Sequence, residues 1–313
     1  MQKQPNIILI TTDQQRFDTV RPFSPSFLQT PHIDFLQQEG VNFTSAYSNC
    51  PICVPARCTI MSGMYASNHG MLNNGSTSTV LDSIQTLPSV LNTAGYQTAA
   101  FGKMHFGPQR CRHGFQEMVL PDDYYRQMRL SGNPQQPMRH GMGQNELSPT
   151  MATVPENLTL TAWTAQQASE YIRFRRDPSR PFFIWCSFSK PHPPLDPPEP
   201  YYSMYRDADI ADPAIGDWTE ETRCPTAMLK HRSDWISDRL TPETIRAARA
   251  AYYGLITQID HNLGLVLQPL QEENMLTETM IIYTSDHGEY LGDHRMTAKS
   301  FAHEPAAHIP MIL

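Results

Sequence analysis

No apolar run in this 313-residue chain is long enough to cross a membrane. The first, Ile7-Ile8-Leu9-Ile10, is far short of the roughly 20 residues a spanning helix needs. It also lacks the length and small-residue cleavage site of a secretory signal, so it reads as a buried strand. A basic excess is missing too: 24 Lys and Arg stand against 31 Asp and Glu, for a net charge of -7. That excludes nucleic acid as a partner and leaves room only for a local anion pocket. Cysteine is sparse, six in the whole chain, too few for a disulfide framework. With no leader and no span, a cytoplasmic location is expected, where those sulfurs stay thiols. There is no internal repeat and no low-complexity linker. The 40% hydrophobic content supports a substantial core in one large domain, or two.

What is present alternates strand and helix signals. Asn6 to Thr11 is an apolar run ending in Thr12-Asp13-Gln14. Thr30-Pro31 opens a helix through Gln38, with Thr30 as N-cap and Gly40 as stop. A second helix starts at Pro55 and runs towards Gly63, and a third covers Leu87 to Thr93. Gln97 to Phe101 and Phe182 to Phe188 read as buried strands, and Thr159 to Arg176 as an amphipathic helix. Thr241-Pro242-Glu243 begins a helix of several turns, and Met280 to Thr284 is a further strand. The alternation predicts an α/β fold with a mostly parallel central sheet flanked by helices. Residues 120–150 and 193–240 show little periodicity and are expected to be long, substrate-facing loops.

Ligands collect outside the carboxyl ends of such strands. Those ends carry Asp13-Gln14, Lys103 and His105, Lys190 and His192, and Asp286-His287. Carboxylate and amide oxygens with an imidazole suit a hard divalent cation, and lysines with histidines suit an oxyanion. A metal facing cations is an arrangement for sulfuryl or phosphoryl ester cleavage. Each element has a plain alternative: Asp13 capping a turn, Lys103 on a solvated loop, His192 packing in a proline turn, His287 hydrogen-bonded at a strand end. Their coincidence at four strand ends is what gives the catalytic reading its weight.

Cys50, Cys53 and Cys58 crowd one window, Cys-Pro-Ile-Cys-Val-Pro-Ala-Arg-Cys. Zinc would want a second matching pair, which Cys111, Cys186 and Cys224 do not supply. Cys50 and Cys58 read as plain cysteines. Cys53-Val54-Pro55-Ala56-Arg57, followed by Ser62-Gly63, resembles the C-x-P-[S/A]-R signature of the type I sulfatases of the alkaline-phosphatase superfamily. The resemblance extends to Pro5–Gln14, Thr30-Pro31-His32-Ile33-Asp34, Phe101-Gly102-Lys103-Met104-His105-Phe106-Gly107, Ser189-Lys190-Pro191-His192-Pro193-Pro194, and Thr284-Ser285-Asp286-His287-Gly288 with Ala298-Lys299 downstream. Gln14 and His287 stand where many members have Asp and Asn, and Met104 where tryptophan is usual. The Asp-Gln and Asp-His pairs look like the phosphonate monoester and phosphodiester hydrolase branch, whereas the Lys103/His105 motif favours sulfatase.

The resemblance implies a sulfate ester hydrolase, with the phosphonate monoester or phosphodiester hydrolase as the alternative. It implies that a separate maturation enzyme oxidises Cys53 to formylglycine, whose hydrate attacks sulfur. His192 would protonate the leaving alcohol and His105 would accept the second proton. Asp13, Gln14, Asp286 and His287 would hold one divalent metal, Ca²⁺ ahead of Mg²⁺ or Mn²⁺. Arg57, Lys103 and Lys299 would neutralise developing charge, with Lys190 a further candidate. The implied substrate is a small-molecule or carbohydrate sulfate ester. Residues 1–313 are expected to form one catalytic domain, with Ile309-Pro310-Met311-Ile312-Leu313 opening a buried strand of a C-terminal portion that lies beyond.

Overall fold

The computed structural model describes residues 4–75, 78–133, 135–220 and 222–313. Its centre is a six-stranded sheet built from β1 (Asn6–Asp13), β3 (Gln97–Gly102), β4 (Glu117–Val119), β5 (Phe182–Pro191), β6 (Thr279–Ser285) and β8 (Met311–Ile312). The order is β4-β3-β5-β1-β6-β8, parallel except for β8, which runs antiparallel to β6. A small second sheet pairs β2 (Ala46–Tyr47) with β7 (His308–Ile309). The helices are α1 (Pro31–Glu39), α2 (Cys53–Ser62), α3 (Ala66–His69), α4 (Leu87–Thr93), α5 (Pro121–Leu130), α6 (Leu160–Glu170), α7 (Tyr201–Met204), α8 (Thr226–Asp234), α9 (Pro242–Glu272) and α10 (Glu304–Ala307).

Side chains alternate across a strand, so each strand feeds two cores. Ile8 and Ile10 of β1 join Phe101, Ile184 and Cys186 under α1, α6 and the α9 residues Ile259, Leu263 and Val266. Leu9 joins Ala100, Phe183 and Trp185 on the other face, where Val54, Cys58 and Met61 of α2 cover them. The chain thus forms the α/β sandwich that the sequence pattern predicts, with β1 in the middle.

Local differences have identifiable causes. Thr30 does not cap α1: its hydroxyl donates to Asp34, and the buried Asp260 of α9 takes the first amides instead, from His32 at 3.2 Å and Ile33 at 2.7 Å. Helix α2 starts at Cys53 rather than Pro55, with the proline inside the first turn, where a missing N–H costs nothing. The Thr159–Arg176 segment is helical, but its last turn, Tyr171–Arg175, is wound as a π-helix. The two stretches expected to be loops contain helices: α5 in the first, α7 and α8 in the second. Helix α5 is held by buried Tyr124 and Met128, one turn apart, packed with Trp163. The apolar run Ile309–Leu313, expected to open one buried strand, is instead split at Pro310: His308–Ile309 is β7 on β2, and Met311–Ile312 is β8 on β6. Among the described residues, no helix is long and apolar enough to cross a membrane.

Candidate active site

The carboxyl ends of β1, β3, β5 and β6 meet at one edge of the sheet. Asp13 closes β1, Lys103 follows β3, His192 follows β5, and Asp286-His287 follow β6. Helix α2 delivers Cys53 to the same place as its first residue, so the positive end of the helix faces the site. Asn74 Oδ1 accepts the Val54 amide at 3.0 Å and fixes that helix start.

Asp13, Cys53, Asp286 and His287 form one buried cluster whose donor atoms lie within 4.8 Å of one another. Cys53 Sγ is 3.1 Å from His287 Nε2 and 3.9 Å from Asp13 Oδ1. His287 Nδ1 lies 2.9 Å from the Gly288 carbonyl, which sets the tautomer and leaves Nε2 facing the cluster. Gln14 sits beside it in the left-handed region (φ 75), its amide N–H donating to Asp286 Oδ1 at 3.1 Å. The Gln14 side-chain oxygen accepts from Lys299 Nζ at 2.6 Å, and its amide nitrogen donates to Glu289.

Arg57 is fully buried beneath this group. Its Nε donates to Asp286 Oδ2 at 2.9 Å, and Nη1 donates to the Lys103 carbonyl at 2.5 Å and to Ser187 Oγ at 2.9 Å. Nη2 lies 3.5 Å from Asp13 Oδ2. The guanidinium therefore faces the two carboxylates and does not line the cavity above them, so it acts on the site by its charge and by holding those carboxylates rather than by touching a substrate. Lys103 Nζ rests against Asp13 Oδ2 and remains partly open to the cavity.

That cavity, about 550 Å³, is lined by Cys53, Lys103, His105, His192 and Lys299 among others. Lys299 Nζ lies 3.3 Å from His192 Nε2, and His192 Nδ1 is 2.8 Å from the Pro193 carbonyl. Nδ1 therefore carries the proton and Nε2 accepts from the lysine. His105 is exposed on the cavity wall with φ 61. Lys190 also reaches the wall, but its ammonium is engaged by Asp196 and the Pro194 carbonyl, bracing the turn that holds His192.

Burial pushes the Asp13 carboxyl up, but Lys103, His192, Arg57 and His287 outweigh it and hold it well below the usual range. Asp286 goes the other way: burial and the Asp13 charge raise it, and His287 and Arg57 offset only part. Burial and Asp13 also work against the Cys53 thiolate, yet Lys299, His287 and Lys103 bring that thiol well below its ordinary value. Burial and the neighbouring Lys103 push His192 down to about 3, so it is neutral. Glu289, which the sequence reading did not single out, is a buried carboxyl raised by that burial. It contacts Gln14 from a position with no pattern of its own, and only the fold reveals it.

The residues at the cluster fit a hard divalent cation on their own chemistry. Two carboxylates, an imidazole and the neighbouring Gln14 amide oxygen are the donors such an ion takes, and Lys103 Nζ and Arg57 Nη2 now stand against Asp13 Oδ2 as its cationic partners.

The comparisons with known proteins agree. The Sulfatase family pattern matches residues 5–313. An arylsulfatase of Clostridium perfringens is 33% identical over 336 residues, covering 99% of this chain and 68% of that protein. A choline-sulfatase of Rhizobium meliloti is 28% identical, covering 99% of this chain and 62% of that protein. Among solved structures, the phosphonate monoester hydrolase of Agrobacterium radiobacter superposes with a TM-score of 0.84 at 29% identity, covering 99% of this chain and 68% of that one. The chain belongs to the sulfatase family, within the alkaline-phosphatase superfamily, and is a sulfuric ester hydrolase.

Proposed function

We propose that the protein cleaves sulfate esters with a nucleophile made from Cys53, and that Asp13, Gln14, Asp286 and His287 hold one divalent cation, Ca²⁺ first and Mg²⁺ or Mn²⁺ next. The observation that carries this reading is the position of Cys53. It is the first residue of α2, its sulfur stands 3.1 Å from His287 Nε2, and it opens onto a cavity walled by Lys103 and His105 after β3, Lys190 and His192 at the end of β5, and Lys299. Formylglycine at residue 53 would, as its hydrate, supply the attacking hydroxyl, and a cation held by Asp13, Gln14, Asp286 and His287 would lower the proton affinity of that oxygen.

The chain's own groups do the rest. Lys103 and Lys299 stand on the cavity wall where a sulfate's oxygens would gather and balance their charge. Arg57 holds Asp13 and Asp286 in place from below and offsets part of what their burial costs. His192 and Lys299 form a proton-sharing pair on the leaving-group side: the lysine N–H points at His192 Nε2, so a proton can pass to a departing alcohol from either group. His105, on the same cavity wall, receives the proton released as sulfate departs. A carbohydrate or small-molecule sulfate fits the cavity volume, and a cytoplasmic location fits six cysteines of which none is paired in a disulfide.

A second reading, phosphonate monoester or phosphodiester hydrolysis, is favoured by the superposition on the Agrobacterium radiobacter enzyme and by the Gln14 and His287 pairings. Side-by-side turnover of an aryl sulfate and an aryl phosphonate monoester separates the two. The sulfatase reading requires the larger kcat/KM on the sulfate, and a larger value on the phosphonate overturns it.

A further inference from the structure

Away from the cavity, Asp82, Cys111 and His113 bring a carboxylate oxygen, a sulfur and an imidazole nitrogen within 4.8 Å of one another. His113 is the rigid member. It lies between β3 and β4, and its carbonyl accepts from Thr86 Oγ1, the N-cap of α4, at 2.5 Å. The next residue, Gly114 (φ +100), sits so close to α4 that a Cβ there would meet the Ser89 nitrogen at 2.6 Å. The His113 ring packs edge-on against Phe106 at 5.1 Å, and its side chain is 0% exposed.

Yet neither ring nitrogen has a hydrogen-bond partner. Nδ1 is 3.1 Å from Asp82 Oδ1, close enough for an ion pair but not aligned as a hydrogen bond. A buried imidazole nitrogen with no aligned partner costs free energy that a cation bound at that nitrogen would return. Burial also lowers the ring's affinity for a proton, with Asp82 offsetting part of it, so a lone pair stays available. Cys111 is half-buried and Asp82 exposed, which leaves both free to close on an ion held by the histidine. One imidazole, one thiolate and one carboxylate are the ligands of a borderline divalent cation such as zinc, unlike the oxygen-rich cluster under Cys53.

We propose that Asp82, Cys111 and His113 form a second metal site, for Zn²⁺ or a similar transition-metal ion, with water as the remaining ligand. The ion staples the Ser78–Asp82 turn to the loop between β3 and β4. That loop carries Lys103, His105 and Gln109 to the cavity wall, so the staple acts on the site by holding the wall.

The test uses the full chain as Cys53→Ala, which removes the other candidate thiol, in saturating Ca²⁺ to fill the Asp13 cluster. Titration with Co²⁺ should give one equivalent with a near-ultraviolet sulfur-to-cobalt band that Zn²⁺ displaces. Adding Cys111→Ser should abolish the band, and His113→Ala should weaken Co²⁺ binding at least about tenfold, the loss that even an outer-shell partner's removal brings. Zn²⁺ should raise the Tm of Cys53→Ala but not of Cys53→Ala/Cys111→Ser. Absence of a sulfur-to-cobalt band at stoichiometric cobalt, or a band that survives Cys111→Ser, overturns the proposal.

Discussion

Lys299 Nζ lies 3.3 Å from His192 Nε2, with the His192 Nδ1 proton already committed to the Pro193 carbonyl. The imidazole that the sequence motif marks as an acid is thus neutral in the resting protein and leans on a lysine for its proton. His192→Ala and Lys299→Ala should both harm poor leaving groups more than good ones. The expected loss is about 10²–10⁴-fold on an alkyl or sugar sulfate and much less on a nitrophenyl sulfate. The double variant should lose little more than either single one, because the two groups act as a unit. Equal losses on both substrate types would move the acid elsewhere.

Arg57 joins Asp286 at 2.9 Å and approaches Asp13 at 3.5 Å, all three side chains being 0% exposed. Removing its charge leaves buried Asp286 without its ion-pair partner and Asp13 with Lys103 alone. Arg57→Met should destabilise the metal-free protein by about 3–5 kcal/mol in urea unfolding. Saturating Ca²⁺ should recover a good part of that loss, since a cation at Asp13 and Asp286 replaces the missing charge. No recovery would separate Arg57 from the cation site.

Asp286→Ala removes a charged ligand from the cluster. Turnover should fall roughly a hundredfold or more, with a matching loss of bound metal by elemental analysis. Near-normal turnover and metal content would place the cation elsewhere.

Burial lowers His69, His113, His231, His294 and His303 as well as His192, which falls to about 3. In each case the unfolded chain binds the proton more readily than the folded one. Stability from these groups is therefore fully present above the unfolded histidine value, near 6.5, and is lost as pH falls below it. For His192 the loss continues to about pH 3. His287, Asp286 and Glu289 are raised in the folded protein and pull the other way, so the comparison is between variants: as pH falls from about 6.5, the urea midpoint of metal-free His192→Gln should fall less than that of the unaltered protein. An equal fall in both would contradict the burial of the His192 ring.

Much of this was legible in the sequence because strands buried on both faces are near-continuous apolar runs, and the chemistry sits where those runs stop. Asp13, Lys103, His192 and Asp286 could be found that way. Helix α5 could not, although Pro121 and two acids mark its start, because its buried face is Tyr124 and Met128 amid charge. Helix α1 shows the same limit from another side: its cap, Asp260, comes from 227 residues away. The downward-facing role of Arg57 and the presence of Glu289 depend on how distant strand ends are brought together, and spacing along the chain carries no trace of that.

The most direct test is the mass of the peptide containing residue 53, taken from protein that is active on an aryl sulfate and purified from its native host. This peptide should have exchanged its thiol for a hydrazide-reactive aldehyde, and sulfate release should rise in proportion to the converted fraction. A fully active preparation in which every copy of Cys53 is still a free thiol would contradict both expectations.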